Sequence, residues 1–123
     1  MERHKAKGES MRFEDLEVWK RSCRLSVEIY KGLYHCKDYG FKDQITRSSL
    51  SVPSNIAEGF ERNSDKDSVK FFYYAKGSCG ELRTQIYIGI EIGYIAKEDG
   101  FAWKNEAEQL SKMLAALIKS RTN

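Results

Sequence analysis

Proline occurs once in this sequence of 123 residues and glycine nine times, which excludes collagen-like, proline-rich and low-complexity chains and disfavours a fold made mostly of loops. Cysteine is equally sparse. Cys23, Cys36 and Cys79 are odd in number, far apart and in no C-x-x-C pair, so neither a disulfide framework nor a zinc knuckle is indicated, and a reducing cytoplasm is the expected location. Long apolar runs are missing too. The most apolar stretch, Ile86 to Ile95, is interrupted by Glu91 and is far shorter than the roughly 20 residues a helix needs to cross a bilayer, so no membrane partner is expected. Residues 1–12 set Arg3, Lys5, Lys7 and Arg12 against Glu2 and Glu9, with no apolar core of a signal peptide behind them, and read as a polar N-terminal arm. Strong charge of one sign is also lacking. Lys and Arg number 21 against 18 Asp and Glu, a net +3 that is compatible with a nucleic-acid partner and common without one.

What is present is a globular mixture, 41% apolar and 32% charged, long enough for one core, so residues 13–123 are expected to form a single domain. Glu14, Asp15 and Glu17 put negative charge at the start of a first helix running from Phe13 to about Cys36. Leu16, Trp19, Cys23, Val27, Tyr30 and Tyr34 recur at steps of three or four and mark its apolar stripe, with Val18, Leu25 and Ile29 as a second, narrower line. That apolar sector is wider than one helix pair needs, so something must cover the surplus.

Lys37 to Gly40 read as a turn, followed by a second helix to about Gly59 whose inner face is Ile45, Ser49, Val52 and Ile56. Its serines permit close approach, and Pro53 is expected to kink it or to begin a restarted helix. Ser64 with Asp67 resembles a helix cap, opening a third helix through Val69, Phe72, Cys79, Leu82, Ile86, Gly89 and Gly93. Gly77, Gly80, Gly89 and Gly93 weaken that helix and are expected to mark close packing. A turn over Lys97 to Gly100 precedes a fourth helix from about Trp103, with Ala107, Leu110, Leu114, Leu117 and Ile118 inward. Four such helices with short connections predict an all-α fold, an antiparallel up-down-up-down four-helix bundle.

The run from Gln44 to Gly59, QITRSSLSVPSNIAEG, resembles almost residue by residue the central helix of the bacterial four-helix-bundle proteins encoded in intervening sequences of 23S ribosomal RNA genes. Phe13 to Leu16 with Trp19-Lys20 is similar to that family's opening, Ala75 to Ser78 with Glu81-Leu82 to its third helix, and Gly93 to Ile95 to the close of that helix. Residues 1–10 fall outside the resemblance. The resemblance implies a bundle that assembles into a homo-oligomeric ring, a pentamer, with a basic surface for RNA or DNA. A related branch, the accessory variability determinant of diversity-generating retroelements, is similar in fold and works with a reverse transcriptase, which makes a protein partner the alternative.

Lys20, Arg21, Arg24 and Lys31 cluster on helix one away from its apolar stripe, where they could meet phosphates. The bland alternative pairs Glu17 with Lys20 or Arg21, and Glu28 with Arg24 or Lys31, on an ordinary wet face. Lys104, Lys112, Lys119 and Arg121 on helix four are similarly basic, although the helix dipole favours cations near its end in any protein. A polar line on helix two, Arg47, Ser51, Asn55 and Glu58, lies beside the apolar seam, with Glu81 of helix three as a partner for Arg47. Such groups are expected to fix helix register or a subunit contact. No catalytic, cofactor or metal set emerges: His35-Cys36 is an isolated pair, His4 lies on the arm, and no phosphate-cradling loop or di-iron motif is present. Cys23 and Cys79 read as core residues. The expectation is a non-enzymatic, oligomeric, nucleic-acid-binding bundle, or else a scaffold for a protein.

Overall fold

The computed structural model describes residues 11–122; the basic arm residues Arg3, Lys5 and Lys7, with His4, lie outside them. A 3-10 turn (Phe13–Asp15) leads into α1 (Glu17–Gly32), α2 (Tyr39–Phe60), α3 (Asp65–Glu91) and α4 (Lys97–Thr122), with no strand among the described residues. Each helix packs against two others in cyclic order, α1 on α2, α2 on α3, α3 on α4 and α4 on α1. Chain-adjacent helices meet end to start. Gly59 near the end of α2 abuts Phe72 and Ser68 early in α3, Gly89 late in α3 abuts Phe41 at the start of α2, and Gly100 early in α4 abuts Ile90. Gly32 closes the circuit against Trp103. This is a four-helix bundle whose neighbours run antiparallel.

The caps explain where the helices begin. Ser64 accepts the amide of Asp67 at 3.2 Å, as its spacing predicts. Asp38 accepts the amide of Phe41 at 3.1 Å, so α2 starts inside the stretch expected to be a turn. α4 likewise begins at Lys97 instead of Trp103, with Glu98 and Asp99 at its positive end. Gly100 is helical there because of packing: a Cβ would lie 2.4 Å from Ile90 Cδ1. α3 ends at Glu91, and Gly93 just beyond it, with a φ of 84°, sets the left-handed turn while Tyr94 donates its amide to the Gly89 carbonyl at 2.9 Å. Gly93 is therefore a terminator and makes no packing surface. Gly77 and Gly80 also depart from expectation, since a Cβ on either would meet nothing within 4 Å. Pro53 neither breaks nor restarts α2, which runs unbroken through it with the ring buried.

The core holds Ile29, Leu33, Ile45, Ile56, Phe72, Leu82, Ile86, Leu110 and Leu114, all essentially inaccessible. On α1 the narrower apolar line is the fully buried one, while Leu16 and Trp19 of the broader line are half-buried against the core and its later residues face out. Val18, Leu25 and Ile29 face inward together with Ser22 and Ser26, whereas Val27 is 51% and Tyr34 63% exposed. Small volume decides it. Ser26 shares a hydrogen bond with Ser49 of α2 at 3.0 Å and Ser22 donates to the Trp19 carbonyl at 2.9 Å, so their hydroxyls are satisfied when buried and the helices can approach closely. Leu33 to Cys36 are a turn beyond α1, which ends earlier than its sequence period suggests.

Candidate nucleic-acid and assembly surfaces

The basic residues chosen from sequence divide into those tied into the fold and those left outside it. Arg21 belongs to the first group: Nε donates to Glu106 Oε2 at 2.8 Å and Nη2 to Oε1 at 2.6 Å, a two-pronged tie between α1 and α4 with both side chains mostly covered. That hydrogen bonding holds the Glu106 carboxyl below its ordinary range and raises Arg21 above its own. Lys104 lies 3.5 Å from Glu108 and 5.8 Å from the centre of the Tyr87 ring. Arg121 reaches Asp65 at 3.6 Å and lies over Phe60 and Phe72, fastening the end of α4 to α3 and α2. Arg24, largely exposed, sits 3.8 Å from Glu17, a loose pair within α1. Lys20 is half-buried, while Lys31, Lys112 and Lys119 stand in solvent on the outer faces of α1 and α4.

The polar line on α2 also divides. Arg47 does not reach Glu81: its Nε is 3.1 Å from Asp43 on its own helix, with 78% of the side chain exposed. Glu58 near the end of α2 pairs with Arg62 just beyond it at 2.9 Å, and Glu81 faces solvent. One-turn spacing placed these three on the outer edge of the seam, where Arg47 and Glu58 find partners one turn along the chain nearer than the next helix. Ser51 and Asn55 do form a seam. Ser51 Oγ is 2.8 Å from Ser78 Oγ of α3, and Asn55 Nδ2 donates to Ser51 Oγ and to its carbonyl, each at 2.9 Å. Ser78, which spacing did not single out, completes this junction between α2 and α3. Its signal is a small polar residue next to Cys79 on the edge of an apolar stripe.

The broader apolar line of α1 borders a groove of about 300 Å³ on the outside of α1 and α2, lined by Trp19, Cys23, Leu50, Pro53 and Ala57 and flanked by Phe13. Phe13 stacks edge-on against Trp19, centroids 5.3 Å apart. Leu50 is half exposed at the groove, and Val27 and Tyr30 continue the line along α1. This is the surplus that the width of the apolar sector anticipated.

Burial sets the state of two of the three thiols. Burial pushes Cys79 up to about 12, so it stays protonated within the core. Cys23 is also raised by burial. Among the described residues no group of three or more His, Cys, Asp or Glu is placed to hold a metal ion, and no helix is long and apolar enough to cross a membrane.

Comparisons with known proteins place this architecture. Residues 14–116 match the family model described as 23S rRNA-intervening sequence protein. A crystal structure of a protein of unknown function from the S23 ribosomal protein family of Bacteroides thetaiotaomicron is similar at a TM-score of 0.78 and 27% identity, covering 83% of this chain and 98% of that one. No curated protein matches the chain. Neither description names a catalytic activity. A family match over most of the chain, on a bundle of matching shape, makes this protein a member of the 23S rRNA-intervening sequence protein family.

Proposed function

We propose that this chain is a non-enzymatic protein that self-associates through its outer apolar groove and engages RNA backbone through its outward cations. The observation that carries the reading is the set of lysines left in solvent on α1 and α4, Lys31, Lys112 and Lys119, after Arg21, Lys104 and Arg121 are tied into the fold. Mobile ammonium groups on helix faces suit phosphate contact with little sequence reading. A ring, pentameric by family resemblance, would repeat the same cations around its rim and multiply their field.

The test is anisotropy of a labelled structured RNA titrated with pure protein over a salt series. Affinity is expected to fall steeply as salt rises, and the double variant Lys31→Gln, Lys112→Gln to lower the slope of log K against log salt by about 2. Absence of binding near physiological salt would overturn the reading.

A second reading draws on the groove beside Leu50: an assembled scaffold that recruits a protein, such as a reverse transcriptase, with no nucleic-acid affinity of its own. It expects the same assembly with no RNA retained during purification under nuclease-free conditions.

A further inference from the structure

At one end of the bundle the last turn of α1, the connection after it and the first turn of α2 bring Tyr30, Tyr34 and Tyr39 together with Lys31, Lys37 and Lys42. Tyr34 and Tyr39 are 63% and 71% exposed, a large aromatic surface for a core to leave outside. Lys42 is the fixed point of the group. Its Nζ donates to the Tyr34 carbonyl at 2.9 Å and lies 5.6 Å from the centre of the Tyr34 ring and 6.0 Å from that of Tyr39. The His35 ring continues the surface, 5.2 Å from Tyr34 and tilted by 31°. An open depression of about 580 Å³ beside them is lined by Tyr39, Lys42, Asp43 and Thr46.

The carboxylates of this segment are already engaged. Asp38 caps α2 and accepts the Tyr94 hydroxyl at 2.9 Å, and Asp43 holds Arg47 at 3.1 Å. Among the described residues no carboxylate pairs with Lys31, Lys37 or Lys42, so the patch combines largely exposed rings, each with Lys42 to one side, with a positive field. An aliphatic protein partner would match neither the phenol groups nor that charge. A polyanion bearing flat rings matches both.

From this the geometry points to a platform for an unpaired nucleic-acid strand, with bases stacking on Tyr34 and Tyr39 while the backbone follows Lys31, Lys37 and Lys42. The inference rests on the nucleic-acid reading above and narrows it from structured RNA in general to single-stranded segments. Stacking needs an exposed base face, which a duplex offers only at its ends, and it tolerates any base because each has a π-face. The 2′-hydroxyl plays no part in such stacking, so oligo(U) and oligo(dT) should bind alike.

The test measures anisotropy of labelled oligo(U), oligo(dT) and a duplex of equal length, with the full chain, over a salt series. Both single strands are expected to bind more tightly than the duplex. Tyr34→Leu and Tyr39→Leu should each weaken single-strand binding about ten-fold with the salt slope unchanged, whereas Tyr34→Phe and Tyr39→Phe should bind as the parent does. Lys37→Gln should instead lower the slope by about 0.7. All these side chains are exposed, and circular dichroism melting curves verify that each variant folds. Leucine variants with undiminished single-strand affinity, or a preference for duplex, would overturn the platform and leave the broader RNA reading standing. If no nucleic acid of any form binds, both fall together.

Discussion

Arg21 and Glu106 are 85 residues apart in sequence and 2.6 Å apart in the bundle, joined by two parallel hydrogen bonds. Because the carboxyl is held below its ordinary value of 4.5, chiefly by the Arg21 hydrogen bond, the native protein binds fewer protons at acid pH than the unfolded chain. The contribution is therefore fully present above that value and is lost as pH falls through the depressed one. Glu106→Gln is expected to cost about 1 kcal/mol at neutral pH and to make the acid loss of stability shallower. Urea unfolding at neutral and acid pH checks both, and an unchanged acid limb would show that the pair contributes nothing. Cys79 makes a second prediction at this scale. With the thiol pushed up to about 12 inside the core, it should resist a maleimide in the native protein and react only after denaturation, while the partly exposed Cys36 is modified at once; mass mapping of the labelled peptides distinguishes them. The two residues differ in how legible they were. The core place of Cys79 follows from its spacing, but the partner of Arg21 depends on which way two helices face each other, which no local pattern records.

At the scale of the helix, glycines that look equivalent in sequence do opposite work. A Cβ on Gly59 would lie 2.7 Å from Phe72 Cε1 and 2.9 Å from the Ser68 carbonyl oxygen, and that backbone atom cannot move aside without shifting α3. Gly59→Ala is expected to destabilise the fold by about 2 kcal/mol, the usual range for overpacking. Gly77 and Gly80 have open space, so alanine at either should stabilise α3 by about 0.5–1 kcal/mol by removing unfolded-chain entropy. Thermal unfolding of the three variants checks the contrast, which collapses if all shift the same way. Helix existence, the Ser64 cap and the inner face of α2 were legible because each rests on period or on local hydrogen-bonding chemistry. The inner face of α1 was not. Two apolar lines competed, and the outcome turned on Ser22 and Ser26, polar by type but satisfied and small enough to be buried, Ser26 against Ser49 of α2. Likewise Lys97 to Gly100 carry turn residues, yet contact with Ile90 recruits Gly100 into α4.

For the whole molecule the consequence of that rotation is an apolar strip on the outside of α1 and α2, where Val27 is 51% and Leu50 50% exposed beside the Trp19 groove. The width of the apolar sector announced this surplus, though the part left outside is the later half of the broader line, Val27 and Tyr30 onward. The tyrosine and lysine cluster was not legible, since it exists only where the connection after α1 folds Tyr34 and Lys42 together. Leaving aliphatic side chains in water forgoes roughly 25 cal/mol for each Å² that a second copy could cover. Assembly through the strip would recover that term, and a charge placed there would have to be desolvated. Leu50→Glu, on the outer face of a helix whose inner side is packed, should leave the helical content intact while shifting the protein to smaller species in sedimentation velocity. The parent must sediment as an oligomer at the same concentration. If it runs as a single chain, or if Leu50→Glu assembles unchanged, the strip is not the contact and the rim of repeated lysines loses its basis.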